Sequence, residues 1–252
     1  MPASARPSSY WVEYRSVEQI PEDWERALVI VAHPDDIEYG PAAAVARWTG
    51  QGKDVRYVLV TSGEAGIAGL PPAESGPLRE AEEIASAKAV GVDKVEFLGY
   101  PDGRVQESLE LRRDLARAIR RHRPELVVLA NFGDTWRQGY ANSADHRAVG
   151  RAGLDAISDA GNEWIFPELA DLAPWSVRWA AVASPTVTHA VDVTETVGKA
   201  IESLSEHRRY LEVLSPEPVA DQVRAIVDRS TAPIDGFPAE RAVGFELYYF
   251  AG

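Results

Sequence analysis

The chain has 252 residues, enough to bury a sizeable core, and its 45% apolar and 26% charged residues are ordinary for a globular protein. Its 39 acidic against 26 basic residues give a formal charge of −13, which argues against partners such as a nucleic-acid backbone or an anionic membrane. With no cysteine, disulfides, thiolate zinc sites and cysteine nucleophiles are excluded.

The opening MPASARPSSYW lacks the apolar stretch of a signal peptide, and no segment is apolar for long enough to span a bilayer. Residues 1–25 are therefore expected to be a tail and lead-in, residues 26–252 the folded domain, and the location cytoplasmic. The run Ala27 to Ala32 (ALVIVA) reads as a strand buried on both faces, the kind found in parallel sheets. Pro41 to Gln51 reads as a helix and Asp54 to Thr61 as a second strand, followed by a Gly- and Pro-rich loop from Ser62 to Pro77. A helix over Leu78 to Val90, a short strand over Val95 to Leu98, a helix over Leu109 to Arg121 and a strand over Leu126 to Ala130 continue the alternation. A long loop from Asn131 to Ala144 and a helix from Asp145 to about Ala160 come next. Two strands (Val177 to Ala183, His189 to Val193), one long helix (Thr194 to Leu214), another (Pro218 to Arg229) and a closing strand (Val243 to Phe250) complete the chain. Strands alternating with helices predict an α/β fold of three layers, a Rossmann-like, mostly parallel sheet with helices on both faces in a single domain.

In such sheets ligands bind beyond the carboxyl ends of the strands. The first strong strand ends at His33-Pro34-Asp35-Asp36. His33 and Asp36, three apart across a strand-to-helix turn, place an imidazole and a carboxylate on one face, a pair suited to a divalent metal such as zinc or iron. The plainer alternative is that Asp35 and Asp36 only complement a helix N-terminus. His146, in Asn142-Ser143-Ala144-Asp145-His146 beyond the fourth strand, can add a third ligand, and two histidines with one carboxylate match catalytic zinc with an open position. Gly63, Gly66 and Gly69 follow a strand without the spacing of a dinucleotide fingerprint. His122, among arginines at a helix end, reads as structural, and His207 as a residue of a solvated face. Trp136 and Tyr140 can stack on a sugar or simply pack their loop.

His33-Pro34-Asp35-Asp36 with the later Asp145-His146 resembles the LmbE-like, GlcNAc-phosphatidylinositol de-N-acetylase (PIG-L) family of zinc-dependent deacetylases. Thr61 to Gly66, Arg79-Glu80-Ala81-Glu82, Pro101-Asp102-Gly103, Arg123-Pro124, and Asp192-Val193-Thr194 with Lys199 extend the likeness from about Arg26 to Leu211. The resemblance implies His33, Asp36 and His146 as ligands of Zn2+, Asp35 as general base, and Arg79 and Asp102 as sugar-holding residues. Where the family usually has His-Pro-Asp-His, this chain has Ser143-Ala144-Asp145-His146, and Ser143 also suits a helix N-cap. By elimination among the five histidines, His189 is the candidate to reach in for the missing imidazole as a catalytic group.

The function expected is zinc-dependent hydrolysis of an N-acyl group, most simply N-acetyl, from an amino sugar or sugar conjugate. The partner is then a small-molecule substrate, and a homo-oligomer is left open. The alternative is a metal-binding protein of this family with weak or no activity, serving as a binding or accessory component.

Overall fold

In the computed structural model the described residues are 16–137 and 139–250. The expected tail lies outside them as far as residue 15, but the lead-in does not stay apart from the fold. Glu18–Gln19 (β1) adds a short parallel edge to the sheet beside His189–Asp192.

Arg26–Val31 (β2) is central, and its apolar run divides by alternation. Ala27, Val29 and Val31 enter one core, while Leu28, Ile30 and Ala32 enter the other. Ala42–Gly50 (α1), Asp54–Leu59 (β3), Pro72–Ala89 (α2), Val95–Phe97 (β4), Leu109–His122 (α3) and Leu126–Ala130 (β5) follow in chain order. A small hairpin, Thr135–Arg137 (β6) and Tyr140–Ala141 (β7), precedes Ala144–Ala160 (α4). Trp179–Ala183 (β8), His189–Asp192 (β9), Val197–Ser205 (α5), Arg208–Leu214 (α6), Val219–Ser230 (α7) and Ala242–Tyr249 (β10) complete the described elements.

The eight-stranded sheet has the order β1-β9-β10-β8-β5-β2-β3-β4 and is parallel except for β10, which runs antiparallel to both its neighbours. α1, α5, α6 and α7 contribute to the core on one face, α3 and α4 to that on the other. The three-layer α/β expectation holds.

Three local readings change. α2 begins at Pro72 rather than Leu78, because Pro72 takes the first helical position, where a missing N–H costs nothing, and Pro77 is carried inside. The 131–144 loop contains the hairpin, turned at Gly139 with φ 83°. The single helix expected over 194–214 is two, α5 and α6, and His207 stands at the break.

α4 is seated by two glycines. A Cβ at Gly150 would lie 2.5 Å from Phe132 Cβ, and one at Gly153 2.8 Å from Leu129 Cδ2. Without side chains there, the helix approaches β5 closely and its first turn is delivered to the carboxyl end of β2.

Candidate active site

β2 ends where its chain turns into α1, and the turn carries the acidic pair. Asp36 Oδ2 accepts hydrogen bonds from the backbone N–H of Ala32 (3.0 Å) and of His33 (2.9 Å), so its Oδ1 is left to point outward. On the facing helix, Ser143 Oγ accepts from His146 N–H at 3.0 Å, capping α4 and fixing its first turn. His146 Nδ1 lies 2.9 Å from Asn142 Oδ1, an acceptor, which leaves Nε2 as the lone-pair nitrogen. His33 Nε2 is likewise taken, by Asp102 Oδ1 at 3.1 Å and Asp145 Oδ2 at 3.2 Å.

The two inward nitrogens, His33 Nδ1 and His146 Nε2, then face each other at 3.0 Å, with Asp36 Oδ1 2.9 Å from the latter. Two lone pairs and a carboxylate oxygen converge with no donor of their own, so the arrangement calls for a shared proton or a cation. His33, Asp36 and His146 form a group that can hold a metal ion. His33 also groups with Asp102 and Asp145. That set is spent: Asp145 accepts from Gly103 N–H (2.7 Å) and Val105 N–H (3.0 Å), and Asp102 Oδ2 from Ala65 N–H (2.9 Å). Electrostatics agree. Burial opposes charge on His33, yet Asp102, Asp145 and Asp36 push it up to about 12. Burial would raise Asp36, but the His146 and His33 imidazoles hold it well below the usual carboxylate range. The carboxylates demand positive charge, and a divalent ion satisfies the demand.

Asp35 sits beside this group with φ 98°, a conformation costly for a residue with a side chain. Its N–H donates to Glu83 Oε2 at 3.2 Å, and its Oδ1 accepts from Arg79 Nη2 at 3.1 Å. Burial pushes Asp35 up to about 6, against the opposing pull of Arg79. Arg79 also donates to Pro34 O and Gly63 O. The glycine spacing finds its reason here: a Cβ at Gly63 or Gly66 would collide with the Arg79 guanidinium.

A cavity of about 650 Å³ opens over His33, Asp35, Asp36 and His146. Arg79 and Asp102 line it, but their polar atoms are largely committed to protein, so both brace the site; Ser143 stands outside the lining, as a cap. Trp136 closes one side, its ring edge-on to His146 at 4.7 Å between centroids.

Two histidines depart from expectation. His189, on β9, is four strands from β2 in the sheet, about 19 Å at the usual spacing. Its ring meets Thr188 Oγ1 (2.9 Å), Tyr249 OH (3.3 Å) and Glu18 (3.7 Å), and it does not line the cavity. It cannot stand in for the missing imidazole. His207 is fully buried, not solvated, with Nε2 3.4 Å from Glu38 and 3.6 Å from Glu83, because the break between α5 and α6 turns it inward. His122 is structural as expected, between Arg56 (3.0 Å) and Glu96 (3.3 Å).

Sequence reasoning missed Tyr39, Tyr210, Arg137 and Arg229, all of which line the cavity. Tyr39 lies one turn beyond Asp36 and could have been found from that spacing. Tyr210, whose ring lies under the Arg79 guanidinium at 4.2 Å, and the two arginines sit in segments with no motif.

The family model for GlcNAc-PI de-N-acetylase matches residues 28–157. Diacetylchitobiose deacetylase of Thermococcus kodakarensis is 33% identical over 141 residues, covering 55% of this chain; the match spans about half of that protein, 51%. The 1D-myo-inositol 2-acetamido-2-deoxy-alpha-D-glucopyranoside deacetylase of Streptomyces avermitilis is 28% identical over 247 residues, 84% of this chain and 77% of that protein. Among solved structures, N,N'-diacetylchitobiose deacetylase from Pyrococcus horikoshii, complexed with its inhibitor, superposes with a TM-score of 0.79 at 25% identity, over 90% of this chain and 85% of that one.

Proposed function

The chain belongs to the PIG-L family of GlcNAc-PI de-N-acetylases, and from that premise we propose that it is a zinc-dependent hydrolase that removes the acetyl group from an N-acetylated amino sugar or its conjugate. The observation that carries the reading is the convergence of His33 Nδ1, His146 Nε2 and Asp36 Oδ1 at the cavity floor, with the Asp35 carboxylate beside them.

His33, Asp36 and His146 would hold the zinc, which would supply a Lewis acid for the amide carbonyl and lower the pKa of water from about 15.7 towards 7. The protein does the rest. Asn142 and the Asp102–Asp145 pair fix the two rings in the orientation in which they can bind it. Asp35, whose Oδ1 is held by Arg79, keeps Oδ2 to take the proton of the attacking water. As the C–N bond breaks, that proton passes from Asp35 to the leaving amine, giving acetate and the free amino sugar. Of the five histidines, only His33 and His146 line the cavity, and this reading therefore gives Asp35 the general-acid role as well as that of general base.

Acetate release from N-acetylglucosamine conjugates, measured with and without a chelator, tests the reading. Turnover that the chelator abolishes and zinc restores is the expected result. Protein that holds zinc stoichiometrically and releases no acetate from any such conjugate would favour an accessory binding role instead.

A further inference from the structure

The cavity floor is acidic, but its mouth is not. Arg137, from β6, and Arg229, from the last turn of α7, both line it, and among the described residues neither has a carboxylate within 4.0 Å. Several other surface arginines meet acids, as Arg47 does Glu22, Arg112 Asp159, Arg178 Asp23 and Arg241 Asp228, and the exposed Arg104, Arg123 and Arg224, which do not among the described residues, lie outside the cavity lining. The acid next to Arg229 in sequence, Asp228, is the one taken by Arg241. In a chain with 39 acidic and 26 basic residues, two guanidinium groups left without acids at one opening call for an anion from outside.

Their settings favour binding over mere solubility. Arg137 is stacked over the Tyr140 ring, 4.0 Å from its centroid, which limits the freedom it would lose on gripping a ligand. Arg229 comes from the opposite side, from a helix whose Val223 and Val227 are buried in the other core from the one under α4. Tyr39, Tyr140 and Tyr210 add aromatic rings to the lining. At about 650 Å³ the cavity exceeds what a single acetamido sugar on its floor fills, so a substituent on the sugar extends toward the arginines.

We propose that the substrate is an N-acetylated amino sugar bearing an anionic group, phosphate or carboxylate, which Arg137 and Arg229 hold at the mouth of the cavity. This rests on the deacetylase reading and names the class of conjugate it acts on.

The test compares kcat/KM for three probes: N-acetylglucosamine 1-phosphate, a glycoside of N-acetylglucosamine whose aglycone carries a carboxylate, and neutral N,N'-diacetylchitobiose. An anionic probe should exceed the neutral one by about tenfold or more, the usual worth of hydrogen bonds to a charged group. Whichever anionic probe leads identifies the group. In the Arg137→Gln/Arg229→Gln protein the ratio should collapse towards one, through KM. Added salt should shrink it as well. Arg224→Gln, on α7 but outside the lining, should leave the ratio as it was. Equal or better turnover of the neutral probe, or a ratio indifferent to the double substitution, would overturn the proposal and leave the deacetylase reading standing. If no probe is hydrolysed, that reading fails instead. Calorimetric binding of glucosamine 1-phosphate and of the matching carboxylate-bearing amine then decides: affinity lost in the double variant sustains the anion site, and no affinity in the parent protein ends it.

Discussion

His33, Asp36 and His146 form the floor of an open cavity, whereas Glu38, Glu83 and His207, drawn from the same turn and the helices behind it, have no exposed side-chain surface at all. Both clusters join imidazole to carboxylate within metal-ligating reach. They differ in access: in the sealed cluster Glu38 Oε2, Glu83 Oε1 and both ring nitrogens of His207 also lack hydrogen-bond partners, but they do not line the cavity. In the open cluster the outer nitrogens and Asp36 Oδ2 are bonded to protein, and the unspent lone pairs face the cavity. In the sealed one Glu38 accepts from Ser86 (2.6 Å) and Ser203 (3.1 Å), and Glu83 accepts from Asp35 N–H. Burial opposes charge on His207, but Glu38 and Glu83 push it up to about 9, as the carboxylates around His33 do there, so the shift by itself does not separate the two clusters. Composition alone therefore does not mark a metal centre. Access does. Asp35 joins the two, its amide tied to the sealed cluster and its carboxylate facing the open one.

The largest effect expected is from His146→Ala, which should strip the metal and turnover together. Elemental analysis of the purified parent protein should find one zinc per chain and the variant close to none. Undiminished zinc in the variant, or two ions per chain in the parent, would move a metal into the buried cluster and erase the contrast. Asp35→Asn should come next. It keeps the shape and the zinc but removes the proton acceptor, costing about 10²–10⁴ in rate. If Asp35 merely serves the turn, Asn would be nearly neutral, and a single steady-state measurement tells the two apart.

His207→Ala attacks the other cluster. Leaving Glu38 buried without its imidazole should cost about 3–5 kcal/mol of stability, read from urea unfolding. A histidine raised to about 9 in the folded chain contributes stability that is whole below its unfolded value near 6.5 and is lost as pH rises through about 9. The parent's urea midpoint should thus fall between pH 6.5 and 9, and less steeply in the variant. Zinc should stay at one per chain. A variant that loses zinc but no stability would reverse the roles given to the two clusters.

Much of this was legible in the sequence because it was local. The apolar run of β2 with both faces buried, the three-residue spacing of His33 and Asp36, and Ser143 ahead of α4 each follow from short-range rules, and the structure keeps them. His207 was not legible because helical periodicity through 194–214 assumes one helix; α5 and α6 are separate, and the break resets which residues face inward. The β6–β7 hairpin has only a few residues per strand, too short for alternation to register, so Arg137 had no element to sit on. Arg229 was read as a residue of a helix end, which it is; only the cavity gives it a second meaning.

The smallest effect expected belongs to His189, the residue that elimination favoured. Elimination weighed chemistry without distance, and four strand spacings separate β9 from β2. In place, His189 touches Thr188, Tyr249 and Glu18 at the sheet edge, and burial lowers its pKa. A histidine shifted that way favours folding most when neutral, so what it adds is present above its unfolded value near 6.5 and fades as pH falls. His189→Ala should cost about 1 kcal/mol of stability, the scale of a lost hydrogen bond or two, less so in acid. Turnover should stay within about threefold of the parent, since the group removed reaches neither Asp35 nor the three converging ligand atoms. A hundredfold loss of kcat with zinc and stability intact is what an oxyanion donor would give. That result would mean that β9 and the cavity floor meet during turnover.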